Sequence, residues 1–212
     1  DGNVKRSRDG GRSWVDLTPH FPGVPKHTWV ASLAASRFAA GTVYAAFDGH
    51  QANDYTNYLF KSTDYGTTWR SIASDLPAER AIHVVVEDTR NPQLLYLGTE
   101  FGLYVTLDGG AHWSYFDGGM PTVPVNDLKI HPRDKELIAA THGRALWIVD
   151  IAALQQMKPE AVAAEAFLFK PKAAHQYGEM PFEGQSVGHQ FFQTPSPQYG
   201  AEISYRLTTR GT

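Results

Sequence analysis

One eight-residue phrase occurs three times in this chain and constrains its fold more than any other feature. It reads Ser7-Arg8-Asp9-Gly10-Gly11-Arg12-Ser13-Trp14, then Ser62-Thr63-Asp64-Tyr65-Gly66-Thr67-Thr68-Trp69, then Thr106-Leu107-Asp108-Gly109-Gly110-Ala111-His112-Trp113. The consensus is Ser/Thr-x-Asp-x-Gly-x-x-Trp. The three aspartates recur at roughly 45–55-residue intervals, the period of a supersecondary unit that packs on copies of itself. Each phrase lies between short aromatic and β-branched runs. Leu103-Tyr104-Val105 precedes the third copy and Trp113-Ser114-Tyr115-Phe116 follows it, which reads as strand, glycine turn, strand.

The phrase has a plain physical role. Asp9, Asp64 and Asp108 are placed to accept backbone N–H groups of their own turns. Gly11, Gly66 and Gly110 can supply positive φ. Trp14, Trp69 and Trp113 can pack beneath the turn while the indole N–H finds a partner. Three copies of one catalytic acid serve no single reaction, whereas three copies of one turn build a repeat, so these residues read as structural.

More of the unit repeats than the phrase. An apolar strand A (Trp29 to Ala35, Ile82 to Glu87, Val125 to Ile130) precedes a strand B (Thr42 to Asp48, Leu94 to Gly98, Glu136 to Ala140). Thr99-Glu100-Phe101-Gly102 and Thr141-His142-Gly143-Arg144 stand at the same offset before Asp108 and Asp150. The order within a unit is A, B, C, phrase, D, over residues 27–73, 81–117 and 125–151. The last unit lacks the phrase and strand D, and residues 1–17 read as the tail of a preceding unit. Four antiparallel strands per unit predict the blade of a β-propeller. The fold class is therefore all-β: a partial propeller of about three and a half blades over 1–151, a linker and irregular segment over 152–199, and the first strand of a β-sandwich over 200–212. The rest of its own ring is then a partner of this piece, supplying the strand that the final blade lacks.

The phrase resembles the Asp-box of bacterial neuraminidase-type repeats. With Asn91-Pro92-Gln93-Leu94-Leu95-Tyr96-Leu97-Gly98-Thr99-Glu100-Phe101-Gly102-Leu103-Tyr104 and Thr141-His142-Gly143-Arg144-Ala145-Leu146-Trp147, the chain resembles large bacterial exported proteins with sortilin-like propellers. These are grouped with glycosyl hydrolases through the Asp-box sialidases and xyloglucanases. The resemblance implies a periplasmic or extracellular location. Asp-box propellers also serve as sorting receptors and assembly factors, so the fold does not carry the function.

Composition excludes several classes. The net charge is −3 with no basic run, which disfavours a nucleic-acid partner. No apolar stretch approaches the ~20 residues of a spanning helix. There is no cysteine, hence no disulfide or thiolate site. No cofactor motif appears, and His27, His50 and His142 show no metal-ligand spacing. Residues 48–54 lack the alternating ligands of a calcium loop.

Strand alternation selects a face for chemistry. The B–C turns fall at the end of the blades opposite the Asp-boxes, so Asp48, Glu100 and His142 occupy one equivalent place in three successive units, with Arg144 close by. The first unit carries an excursion there, Gly49 to Asn57, and polar loops over a rigid scaffold are common binding elements. Two readings follow. One is a non-catalytic module that binds a glycan or a peptide or protein, with His50, His142, Arg144, Trp29 and Tyr55 as ligand-binding residues. The other is a glycoside hydrolase in which two of Asp48, Glu100 and Asp54 act as acid and base. His83, Asn126 and Asp127, at the start of strand A, are weaker candidates that could line a central channel.

Overall fold

The computed structural model describes residues 2–174 and 200–208. The segment 175–199, most of the sequence-predicted linker, and residues 209–212 lie outside the described residues. Two compact units, Asp1–Val162 and Ala163–Thr212, are taken one at a time.

The first unit begins with a two-stranded hairpin, β1 (Lys5–Arg6) and β2 (Val15–Asp16), joined by the first Asp-box. A four-stranded antiparallel meander follows: β3 (Trp29–Ala35), β4 (Val43–Gly49), β5 (Asp54–Ser62) and β6 (Arg70–Ser71). The next sheet repeats the order with β7 (Ile82–Glu87), β8 (Leu95–Thr99), β9 (Gly102–Thr106) and β10 (Ser114–Tyr115). The last has three strands, β11 (Val125–His131), β12 (Glu136–Thr141) and β13 (Leu146–Asp150). These sheets are the blades, numbered first to third from β3, with the β1–β2 hairpin before them.

The core lies between sheets. Alternate residues of β4 point to opposite faces. Ala45 and Phe47 join Val4, Leu17, Phe21 and Trp69 on the side of the β1–β2 hairpin. Tyr44 and Ala46 join Ile82, Val85, Leu95, Leu97 and Trp113 on the side of the second blade. In β8 and its entry, Leu95 and Leu97 face the first blade, while Leu94 and Tyr96 face Val125, Leu128, Leu137 and Ile151 of the third. A strand buried on both faces reads as a continuous apolar run, as Leu94 to Leu97 does.

Every copy of the eight-residue phrase, here called a box, is a closed hydrogen-bonded turn. In the second, Ser62 Oγ donates to Asp64 Oδ1 at 2.8 Å and accepts from Gly66 N at 2.8 Å, while Asp64 accepts Thr68 N at 2.9 Å and Thr68 Oγ1 at 2.7 Å. Asp9 and Asp108 repeat the pattern with Ser13 and His112. Hydrogen bonds from the Thr68 backbone and side chain and from Ser62 hold the Asp64 carboxyl down at about 2, and those from Ser13 and Ser7 do the same for Asp9. The second and third boxes each rest on the sheet before them. A Cβ on Gly66 would meet Leu17 Cδ1 at 2.7 Å, one on Gly110 would meet Ile72 Cβ at 3.0 Å, and Trp113 Nε1 donates to Ile72 O at 2.8 Å. Trp69 and Trp113 are accordingly 9% and 7% exposed, against 60% for Trp14, whose glycine Gly11 meets only its own indole.

Two local readings of the sequence are corrected. Asp150 does not align with the box aspartates: Thr141 Oγ1 and N both donate to Ala145 O, a turn one residue longer than the Thr99–Gly102 turn, so Ile151 takes the place of Asp108. Ile151 is fully buried. The composition of 152–162 reads as the start of a linker, but this stretch is packed. Gln155 Nε2 donates to the buried Asp88 carboxylate at 2.9 Å, Asn91 Nδ2 donates to Met157 O at 3.2 Å, and Ala161 in the helical turn α1 (Pro159–Ala163) is buried.

In the second unit, β14 (Ala166–Leu168) pairs antiparallel with β15 (Tyr205–Leu207). The strand read over 200–207 is therefore shorter. Its alternation places Ile203, Tyr205 and Leu207 on an exposed face.

Candidate functional site

Register brings together at the upper face, opposite the Asp-boxes, residues that are distant in sequence. Trp29 pairs with Asp48, Glu100 N donates to Ala81 O at 2.9 Å, and His142 N donates to Pro124 O at 2.9 Å. Asp48, Glu100 and His142 thus hold one structural position in three blades. Strand A of every blade is bulged near this end: the register slips between Val30 and Ser32, between Ile82 and Val84, and between Val125 and Asp127. The extra residues are Ala31, His83 and Asn126. A second slip, between Phe47 and Gly49, falls on Asp48. A bulge re-aims the side chain it carries, and here it turns His83 toward two carboxylates.

His83 Nε2 lies 2.9 Å from Glu100 Oε2, within its own blade. His83 Nδ1 lies 3.4 Å from Asp48 Oδ2, across the boundary with the first blade. Asp48 also takes His50, whose backbone N donates at 2.9 Å and whose Nδ1 stands 2.7 Å from both carboxylate oxygens. The Asp48 side chain is 8% exposed and that of Glu100 34%. Carboxylates only accept hydrogen bonds, so the two imidazoles are the donors that make this cluster stable in a partly dry place.

The other sequence candidates are distributed around it. Trp29 is 62% exposed at the cross-strand partner of Asp48, and Tyr55 is partly exposed on the excursion loop. Asp54 is turned onto its own strand, accepting Thr56 N at 3.0 Å and Tyr58 Oη at 2.8 Å. The Thr56 and Tyr58 hydrogen bonds lower its carboxyl below the ordinary value. Asn57 ties the same loop to the next connection through Pro77 O and Arg80 N. His142 and Arg144 are exposed, and their side chains have no hydrogen-bond partner among the described residues. Neither His27, His50 and His142 nor any other three His, Asp or Glu side chains among the described residues form a metal-holding group.

Sequence reasoning under-ranked His83. The available signal was its place: His83 interrupts the apolar run from Ile82 to Val86, and Asn126 stands at the same place after Val125. Strands β3, β7 and β11 line a groove of about 580 Å³ that runs from His83 and Asn126 down to Arg37 and Glu87.

No protein-family model matches the chain, and no curated protein sequence matches it. Solved structures do. The GH74 enzyme of Niastella koreensis superposes with a TM-score of 0.56 at 16% identity, over 71% of this chain and 25% of that one. An ancestral GH74 enzyme gives 0.52 at 21% identity over 66% of this chain and 19% of that one. The GH74 xyloglucanase from Xanthomonas campestris gives 0.51 at 19% identity over 71% and 25%. The fold is part of a β-propeller. At these identities the likeness is one of architecture, and the chain spans a quarter or less of the length of these enzymes. No helix among the described residues is long and apolar enough to cross a membrane.

Proposed function

We propose that this chain is part of an exported β-propeller module whose upper face binds a glycan without cleaving it. One observation carries the reading: the imidazole of His83 occupies the interval between Asp48 and Glu100. Glycoside hydrolysis needs two carboxylates about 5–10 Å apart with the scissile bond, and in inverting enzymes a water, between them. Here that interval holds a ring that bonds one carboxylate and contacts the other, and Asp54 is committed to Tyr58 and Thr56. What remains suits adhesion. An exposed indole at Trp29 offers a flat apolar platform and Tyr55 a second, and the Glu100 oxygen not bonded to His83 can accept a hydroxyl.

The test is to present the full chain to a glycan array and to assay it for release of reducing ends from xyloglucan, the polysaccharide one structural neighbour is named for. Retention on glycans with no release is expected. Reducing-end release that disappears in Asp48→Asn and Glu100→Gln would overturn the reading in favour of the hydrolase.

A further inference from the structure

The repeat supplies an internal template for where the ligand sits. At the boundary of the first and second blades, the residues Asp48, His83 and Glu100 close on one another. One blade on, the register places Glu100, Asn126 and His142 in the same three positions. There the bridging imidazole is replaced by a shorter amide, and the set stays open. Asn126 is exposed, and neither its amide nor the His142 ring has a hydrogen-bond partner among the described residues. Glu100 uses Oε2 on His83 and leaves Oε1 unpaired. Of the three, Asn126 also lines the groove between strands β3, β7 and β11.

We infer that Glu100, Asn126 and His142 form a hydroxyl-reading subsite for a neutral sugar, whose diol takes the place that the His83 ring takes one blade earlier. The inference rests on the glycan-binding reading and deepens it. A carboxylate accepts from hydroxyls, an amide donates and accepts, and an imidazole does both, which together match vicinal hydroxyls in either direction. Charge argues for a neutral group. Charges of both signs border the set: the carboxylates of Glu100 and Asp127 oppose an anion, the exposed guanidinium of Arg144, two residues from His142, opposes a cation, and Lys129 is engaged by Asp127 at 3.1 Å.

The experiment is calorimetric titration of the full chain with xyloglucan, cellulose and mannan oligosaccharides, alongside melting curves. Asn126→Ala and His142→Ala are each expected to weaken binding about tenfold, the worth of one good hydrogen bond. Asn126→His rebuilds the bridge and is expected to abolish binding without lowering the melting temperature. If wild type binds an oligosaccharide and the three changes at Asn126 and His142 leave affinity within twofold, the subsite is overturned while the wider reading stands. If wild type binds none of them, or an array returns only peptides, both are overturned. Should Asn126→His fail to fold, the two alanine variants at exposed positions decide.

Discussion

Gly98→Ala should separate the second and third blades at the proposed subsite. Gly98 has an ordinary strand φ, so the effect is steric. An added Cβ would stand 2.6 Å from Val125 O and 2.6 Å from Val84 Cγ1. The valine methyl can rotate away, but the carbonyl belongs to the first residue of β11 and moves only with its strand. Overpacking of this kind costs about 1–3 kcal/mol. Removing a strand glycine returns about 0.5–1 kcal/mol through the unfolded chain. The difference spans about 0–2.5 kcal/mol, and with a backbone carbonyl among the contacts the upper part, about 1–2.5 kcal/mol, is expected; at ~2–4 °C per kcal/mol for a unit of this size the melting temperature should fall by about 2–10 °C. Because Gly98 is two residues from Glu100 and Val125 is next to Asn126, glycan affinity should fall as well. Calorimetric melting and titration of the full chain read both. The control is Ala46→Gly at the equivalent place in the first blade, where a methyl is already accommodated. A Gly98→Ala protein that melts at or above the wild-type temperature with unchanged affinity would refute the packing argument and the link it draws to the site.

Two further outcomes follow from the Asp-boxes. Asp9 and Asp64 titrate at about 2 in the folded chain, below the 3.8 of an unfolded one, so their contribution is complete above about 4 and is lost as pH falls toward 2; melting curves at pH 6, 4, 3 and 2 should show this loss, and Asp64→Asn should reduce its pH dependence. Trp113→Phe removes the indole N–H from Ile72 O in a buried corner and should cost about 1–3 kcal/mol in denaturant unfolding, more than the same change at exposed Trp14.

Much of the architecture is legible in the residues because each signal is local. Strands β3 and β7 coincide with the predicted Trp29–Ala35 and Ile82–Glu87, and the box turns follow from side chains four residues apart. The equivalence of Asp48, Glu100 and His142 follows from their common place just after strand B, not from a count to the box: Glu100 lies 8 residues before Asp108, His142 9 before Ile151 and Asp48 16 before Asp64. What that order does not contain is the bulge. Alternation with period two gives His83 a face, but a one-residue slip in register re-aims it, and only the paired strand reveals the slip. The same holds for Asp150, displaced by one residue in the Thr141–Ala145 turn, and for Gln155, whose burial is set by Asp88, 67 positions earlier.

The support given to each corner turn runs in one direction. Leu17 seats the loop around Gly66, and Ile72 seats the loop around Gly110; in both cases the seat lies N-terminal to what it receives. A chain emerging from the ribosome therefore meets each seat already synthesised, and these blades can dock in the order of translation, with the indoles of Trp69 and Trp113 covered soon after they are made.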